Sequence, residues 1–193
     1  MDPLPREFYA RDPREVAPEL LNKVLRRGAR AGRIVEVEAY LGEQDEAAHS
    51  FRGPTERTRV MFGPAGHLYV YFTYGMHWCA NAVCGREGEG DAVLFRALAP
   101  LRGLAAMRRA RGGDRRPLRD RDLCSGPAKL CQAFGIDGRF DGVDLVREDR
   151  GLCVADDGVA PPTRPGVGPR IGISKATQRR WRWWVPGEPN VSR

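Results

Sequence analysis

Glu36 and Glu38 stand two residues apart in the run Arg33-Ile-Val-Glu-Val-Glu-Ala-Tyr-Leu-Gly42, and Tyr40 follows at the same spacing. Side chains alternate along a strand, so Ile34, Glu36, Glu38 and Tyr40 share one face and Val35, Val37, Ala39 and Leu41 the other. The second face is wholly apolar. Carboxylates are poor strand formers, and a buried one costs free energy unless it is paired or used. Three readings are open: a general base beside a phenol, a pair of metal ligands, or an ordinary solvated strand face. His49 follows the acidic stretch Glu43-Gln-Asp-Glu46, where a short helical turn brings it back towards the strand end.

These side chains need a scaffold, and the rest of the chain supplies its pieces. Residues 8–27 read as a helical segment, with Asp12 as N-cap, Pro13 in the first turn, and Val16, Leu20, Leu21 and Val24 at helical spacing. After a loop over 52–66, an aromatic hairpin is predicted: strand 67–73, a turn around Gly75, strand 77–84. Tyr74 and Met76 flank that turn. Large apolar side chains at an exposed tip suit a wedge between stacked bases. Arg96, embedded in the strand run 92–98, calls for a carboxylate or phosphate partner. A helix over 101–111 and a mobile basic loop over 112–121 follow. The next helix is predicted to open with Ser125 as N-cap and Pro127 in its first turn, and to close at Gly135. Its free N–H groups, with Lys129 one turn in, suit a phosphate. Residues 137–158 read as short strands and turns, 161–170 as extended chain, and 171–184 as arginines interleaved with tryptophans.

A chain of 193 residues has room for one well-packed domain, taken as 1–193. With 41% hydrophobic and 30% charged residues its composition is globular. No apolar run approaches the roughly 18 residues of a membrane span, and Met1-Asp-Pro-Leu-Pro-Arg-Glu7 lacks the order of a signal peptide. An intracellular protein without membrane contact is therefore expected. Residues 1–100 hold 13 basic and 14 acidic side chains, and residues 101–193 hold 19 and 11, so the halves carry −1 and +8. Such an excess draws polyanions, nucleic acid first among them. Five cysteines without CxxC spacing are expected as reduced thiols, and no metal or other cofactor is expected.

The combination of segments resembles the 3-methyladenine (alkyladenine) DNA glycosylase family. The resemblance rests on Arg33 to Gly42, Asp45-Glu-Ala-Ala-His49-Ser50, Gly66-His-Leu-Tyr-Val-Tyr71, Tyr74-Gly-Met76 and Cys79-Ala-Asn81. It continues through Leu94-Phe-Arg-Ala-Leu98, Asp122-Leu-Cys-Ser-Gly-Pro-Ala-Lys-Leu-Cys131 and Arg170-Ile-Gly-Ile173, in order along nearly the whole chain. It implies an α+β fold: one mixed domain with a curved, mostly antiparallel sheet, surrounding helices and a protruding aromatic hairpin. It also implies that Glu38 activates a water for attack on the sugar C1′, with Arg96 and a backbone carbonyl near Ile171 holding that water. Tyr40, His49 and Tyr71 would wall the base pocket, Asn81 would exclude guanine, and Tyr74 with Met76 would fill the gap left by a flipped nucleotide. Ser125, Lys129, Arg170 and Ile171 would contact the DNA backbone. The implied partner is damaged double-stranded DNA, met by a monomer in the bacterial cytoplasm at the nucleoid. No lysine stands in the matching pocket segments, so hydrolysis without strand cleavage is expected. His77-Trp78 depart from the family pattern beside the wedge. Two other classes stay in view: a non-catalytic nucleic-acid binder indifferent to Glu38, and a nuclease using Glu36 and Glu38 as metal ligands.

Overall fold

The computed structural model describes residues 1–113 and 117–192. The chain begins with helices α1 (Arg6–Tyr9) and α2 (Pro13–Leu20), followed by strands β1 (Val24–Arg27), β2 (Arg30–Leu41), β3 (Leu68–Thr73), β4 (His77–Cys84) and β5 (Asp91–Arg102). Helices α3 (Leu104–Ala110) and α4 (Pro127–Phe134) come next, then β6 (Leu152–Ala155), β7 (Gly166–Gly168) and β8 (Arg182–Trp184). The order across the sheet is β3-β4-β5-β2-β1-β6, with β8 paired to both β2 and β7. Every pairing is antiparallel, which gives the expected α+β architecture.

Strand β2 pairs with three others, β5 along one edge and β1 and β8 along the other. Its first residues pair with β1, while Glu36, Val37 and Glu38 pair with Trp184, Trp183 and Arg182 of β8. Strand β5 lies along its other edge, and the register slips on either side of Glu36. Irregularities of this kind re-aim side chains and gather next to active sites. The apolar face, Val35, Val37, Ala39 and Leu41, is buried as its composition requires, and Ile34, Glu36 and Glu38 on the other face are buried too. A solvated strand face is thereby excluded.

Several boundaries differ from the sequence reading. Asp12 caps α2, its carboxylate accepting from the Arg14 N–H at 2.8 Å, but the helix stops at Leu20 and Val24 opens a strand. Asn22 breaks it with a φ of 68°. The helix expected from 101 starts at Leu104, because β5 runs on to Arg102 and the left-handed Gly103 ends it. Gly126, not Ser125, is the N-cap of α4, at a φ of 147° open to glycine. Of the basic loop expected over 112–121, residues 114–116 lie outside the described residues, and Asp120–Asp122 form a 3₁₀ turn. All five cysteines are free and buried. Among the described residues no helix is long and apolar enough to cross a membrane.

Candidate active site

Glu38 has no exposed surface, and its carboxylate is met by donors from three parts of the chain. The Ile171 N–H donates to Oε1 at 2.7 Å, the Tyr40 hydroxyl to Oε2 at 2.9 Å, and Arg96 Nη1 stands 3.3 Å from Oε1. Burial pushes the Glu38 carboxyl above the ordinary range; Arg96, the Ile171 N–H and Tyr40 pull it back. Two hydrogen bonds, one to each oxygen, and the Arg96 ion pair hold the carboxylate, so Oε2 accepts from Tyr40 alone and keeps a free lone pair. The backbone at 171 meets the carboxylate through its N–H, which leaves the carbonyls of this segment to other partners.

A cavity of about 440 Å³ opens in front of this carboxylate, within the range of small-molecule sites. Tyr40, Arg96 and Ile171, which contact Glu38, all line it, and Glu38 lies directly behind them. The walls include His49, Tyr69, Tyr71, Cys79, Asn81 and Leu94. The His49 and Tyr71 rings meet edge to face at 4.5 Å, and Tyr69 stacks on Tyr71 at 5.5 Å. His49 Nδ1 is 3.2 Å from the Tyr69 hydroxyl. Partial burial of the His49 ring, with the Arg57 guanidinium nearby, lowers its pKa and keeps it neutral near pH 7. Asn81 donates from Nδ2 to the Tyr69 carbonyl at 3.2 Å, which fixes its amide at the cavity wall.

At the rim, Thr73 pairs with His77 and the chain turns through Tyr74-Gly75-Met76. Tyr74 is 81% and Met76 67% exposed, and Tyr74 also lines the cavity. Its φ of 50° is a left-handed conformation that bulky residues rarely adopt. Trp78, from the departing His77-Trp78 pair, packs at a tilt on Phe72 with ring centroids 4.7 Å apart and covers Gly138, whose absent Cβ would meet the indole at 2.8 Å. His77 stays exposed.

The start of α4 is tied beside Arg96 by the bridge between Ala97 and Ser125, and Pro127 lines the cavity. Lys129 Nζ donates to Ser125 Oγ at 3.3 Å on the same side. Arg170 does not join them. Its side chain is fully buried, bonded to both oxygens of Asp45 and to the Ala39 carbonyl, with Tyr40 and Trp181 rings 4.5 and 5.2 Å from its guanidinium. A cation so enclosed cannot meet a phosphate; it backs the Tyr40 wall. Lys175, which sequence matching kept out of the pocket, lines its mouth. Tyr69 was missed as well, although its spacing from Tyr71 puts both on one face of β3.

Glu36 is as buried as Glu38 and is bound by Arg96 and Arg182 at 3.2 and 3.0 Å. With both carboxylates claimed by guanidinium and N–H donors, the pair does not fit a metal site. No cluster of three His, Cys, Asp or Glu suited to a metal occurs among the described residues.

Residues 7–189 match the family model described as methylpurine-DNA glycosylase. The chain belongs to the methylpurine-DNA glycosylase family. It is 59% identical over 190 residues to a Burkholderia lata protein named "Putative 3-methyladenine DNA glycosylase", covering 98% of this chain and 90% of that one. Proteins of the same name from Rhodopseudomonas palustris and Chlorobaculum parvum are 51% and 46% identical, covering 98% and 100% of this chain and 90% and 91% of theirs. Family membership makes the chain a DNA glycosylase, a hydrolase of DNA repair, and makes DNA its substrate.

Proposed function

We propose that this glycosylase takes a damaged purine out of double-stranded DNA into the aromatic cavity and hydrolyses its N-glycosidic bond with a water activated by Glu38. The observation that carries this reading is a buried carboxylate of raised pKa whose Oε2 accepts from Tyr40 alone, held directly behind Tyr40, Arg96 and Ile171 of an aromatic cavity of about 440 Å³. Burial keeps Glu38 basic, and Arg96 with the Ile171 N–H keeps it ionised and oriented. The water loses its proton to Glu38, its oxygen bonds to C1′, and the purine leaves with the bonding electrons. Alkylation at N3 or N7 gives the purine a positive charge and makes it a good leaving group. 3-Methyladenine and 7-methylguanine are therefore the leading substrates, with hypoxanthine and 1,N6-ethenoadenine behind them. A neutral purine needs a proton, and His49 with its lowered pKa is a poor source at neutral pH.

Tyr40, His49 and Tyr71 sandwich the base, and Asn81 disfavours guanine by clashing with its exocyclic amine, a barrier that the good leaving group of cationic 7-methylguanine offsets. A base must leave the stack to be reached, and Tyr74 with Met76 fills the space it vacates. Ser125 and Lys129 hold a phosphate at the start of α4. The protein acts as a monomer on the bacterial nucleoid.

The test is incubation with duplexes carrying each lesion, in EDTA, at neutral pH and without heat. Free base and an unbroken strand bearing an abasic site are expected. Strand cleavage, with a borohydride-trapped crosslink that Lys175→Ala abolishes, would move the chemistry to an imine. No release from any lesion, with binding intact, would leave a non-catalytic binder.

A further inference from the structure

We propose that Glu36 and Ser192 are positioning residues that aim Arg96 at Glu38, an inference that rests on reading Glu38 as the base. Glu36 does not line the cavity and has no exposed surface, yet it is fully partnered. Its Oε1 accepts from Arg96 Nε at 3.2 Å and Arg182 Nη1 at 3.0 Å, and its Oε2 accepts from the Ser192 N–H at 2.7 Å. Arg96 is likewise shared out nitrogen by nitrogen: Nε to Glu36, Nη1 to Glu38 at 3.3 Å, and Nη2 to the Ser192 hydroxyl at 3.1 Å. A guanidinium is a rigid planar fork, so fixing Nε and Nη2 fixes where Nη1 points. Ser192 itself is buried, and Asn190 beside it donates to the Arg121 carbonyl at 3.3 Å. The segment after β8 thus closes over the back of the arginine and leaves the cavity open in front.

The groups facing Glu38 are Glu36 and Tyr40 from β2, Arg96 from β5, Tyr71 from β3, Cys79 from β4 and the Ile171 N–H. Arg182, opposite Glu38 on β8, spends its charge on Glu36. Among these, Arg96 is the foremost influence lowering the Glu38 pKa. Ser192→Ala removes only the hydroxyl that fixes Arg96 Nη2, and Ser192→Pro also removes the N–H that fixes Glu36, while the other groups stay in place. Glu38 then becomes harder to ionise, and the rising limb of the pH–rate profile moves to higher pH.

The experiment is single-turnover base release across pH by Ser192→Ala, which loses the hydroxyl, Ser192→Pro, which also loses the N–H, and Ser192→Thr, which keeps both. Release at neutral pH is expected to fall about tenfold for Ser192→Ala and about a hundredfold for Ser192→Pro. Both should show the displaced limb and wild-type affinity for the lesion duplex, and Ser192→Thr should restore rate and limb. Should Ser192→Pro fail to fold, Ser192→Ala decides. An unmoved limb and unchanged rate in folded Ser192→Ala, with Glu38→Gln inactive, would overturn the positioning role and leave the base in place. Turnover by Glu38→Gln at the wild-type rate would instead overturn the base itself.

Discussion

At Glu38 two opposing effects meet. Burial raises its pKa, while a guanidinium, a phenol and an amide stabilise the anion without fully offsetting that rise. The sign has a consequence for stability: a carboxyl whose folded pKa lies above its unfolded value stabilises the fold below the unfolded pKa and loses that contribution as pH rises. Glu38→Gln is therefore expected to melt at or above wild type near pH 7, with the difference closing towards about pH 4, as thermal denaturation followed by circular dichroism would show. The pairing of Glu36 with arginines could not be read from its spacing, because Arg182 and Ser192 are far away in sequence and reach it through β8 and the segment beyond. Arg170 misled for the converse reason. The resemblance carried a DNA-backbone contact onto it, and only the packed structure shows Asp45 claiming its side chain.

The pairing of β3 with β4 was legible because β3 is rich in aromatic and β-branched residues and Gly75 separates the two runs; the helix over 8–27 was misjudged in its second half because Val24 fits a helical period as well as a strand. What decides between them is pairing with β2, a contact no local pattern records. The tip is strained at Tyr74, whose positive φ glycine would adopt without cost. Tyr74→Gly is thus expected to melt no lower than wild type, yet to lose base release from intact duplex far more than from single strands. Equal losses on both would remove the wedge. At the other end of β5, burial among Glu89 and Asp12 pushes the Asp91 carboxyl up to about 7. Its contribution to stability is present below the unfolded carboxylate pKa and is lost as pH rises to about 7. Asp91→Asn should raise the melting temperature at about pH 8 and leave it unchanged near pH 4.

Taken whole, the molecule puts its charge excess in the half that supplies α4 and the arginine-rich segment 171–184, and the formal charge of +7 favours a polyanion. Affinity for a lesion duplex should therefore fall steeply between roughly 50 and 200 mM salt, by more than tenfold if two or more phosphates are neutralised. A flat response would place the recognition elsewhere. Architecture and membership in a DNA glycosylase family were legible because many short motifs agree in order, whereas the burial of Glu38 behind the cavity depends on packing among β2, β5, β8 and the 170–173 segment. The most direct test is single-turnover base release from a methylated-purine duplex in EDTA by wild type and Glu38→Gln, with duplex binding measured in parallel. Release by wild type, with binding kept and release slowed by about 10²- to 10⁴-fold or more in the variant, is the expected result. Equal release by both proteins would contradict the assignment of Glu38 as the base.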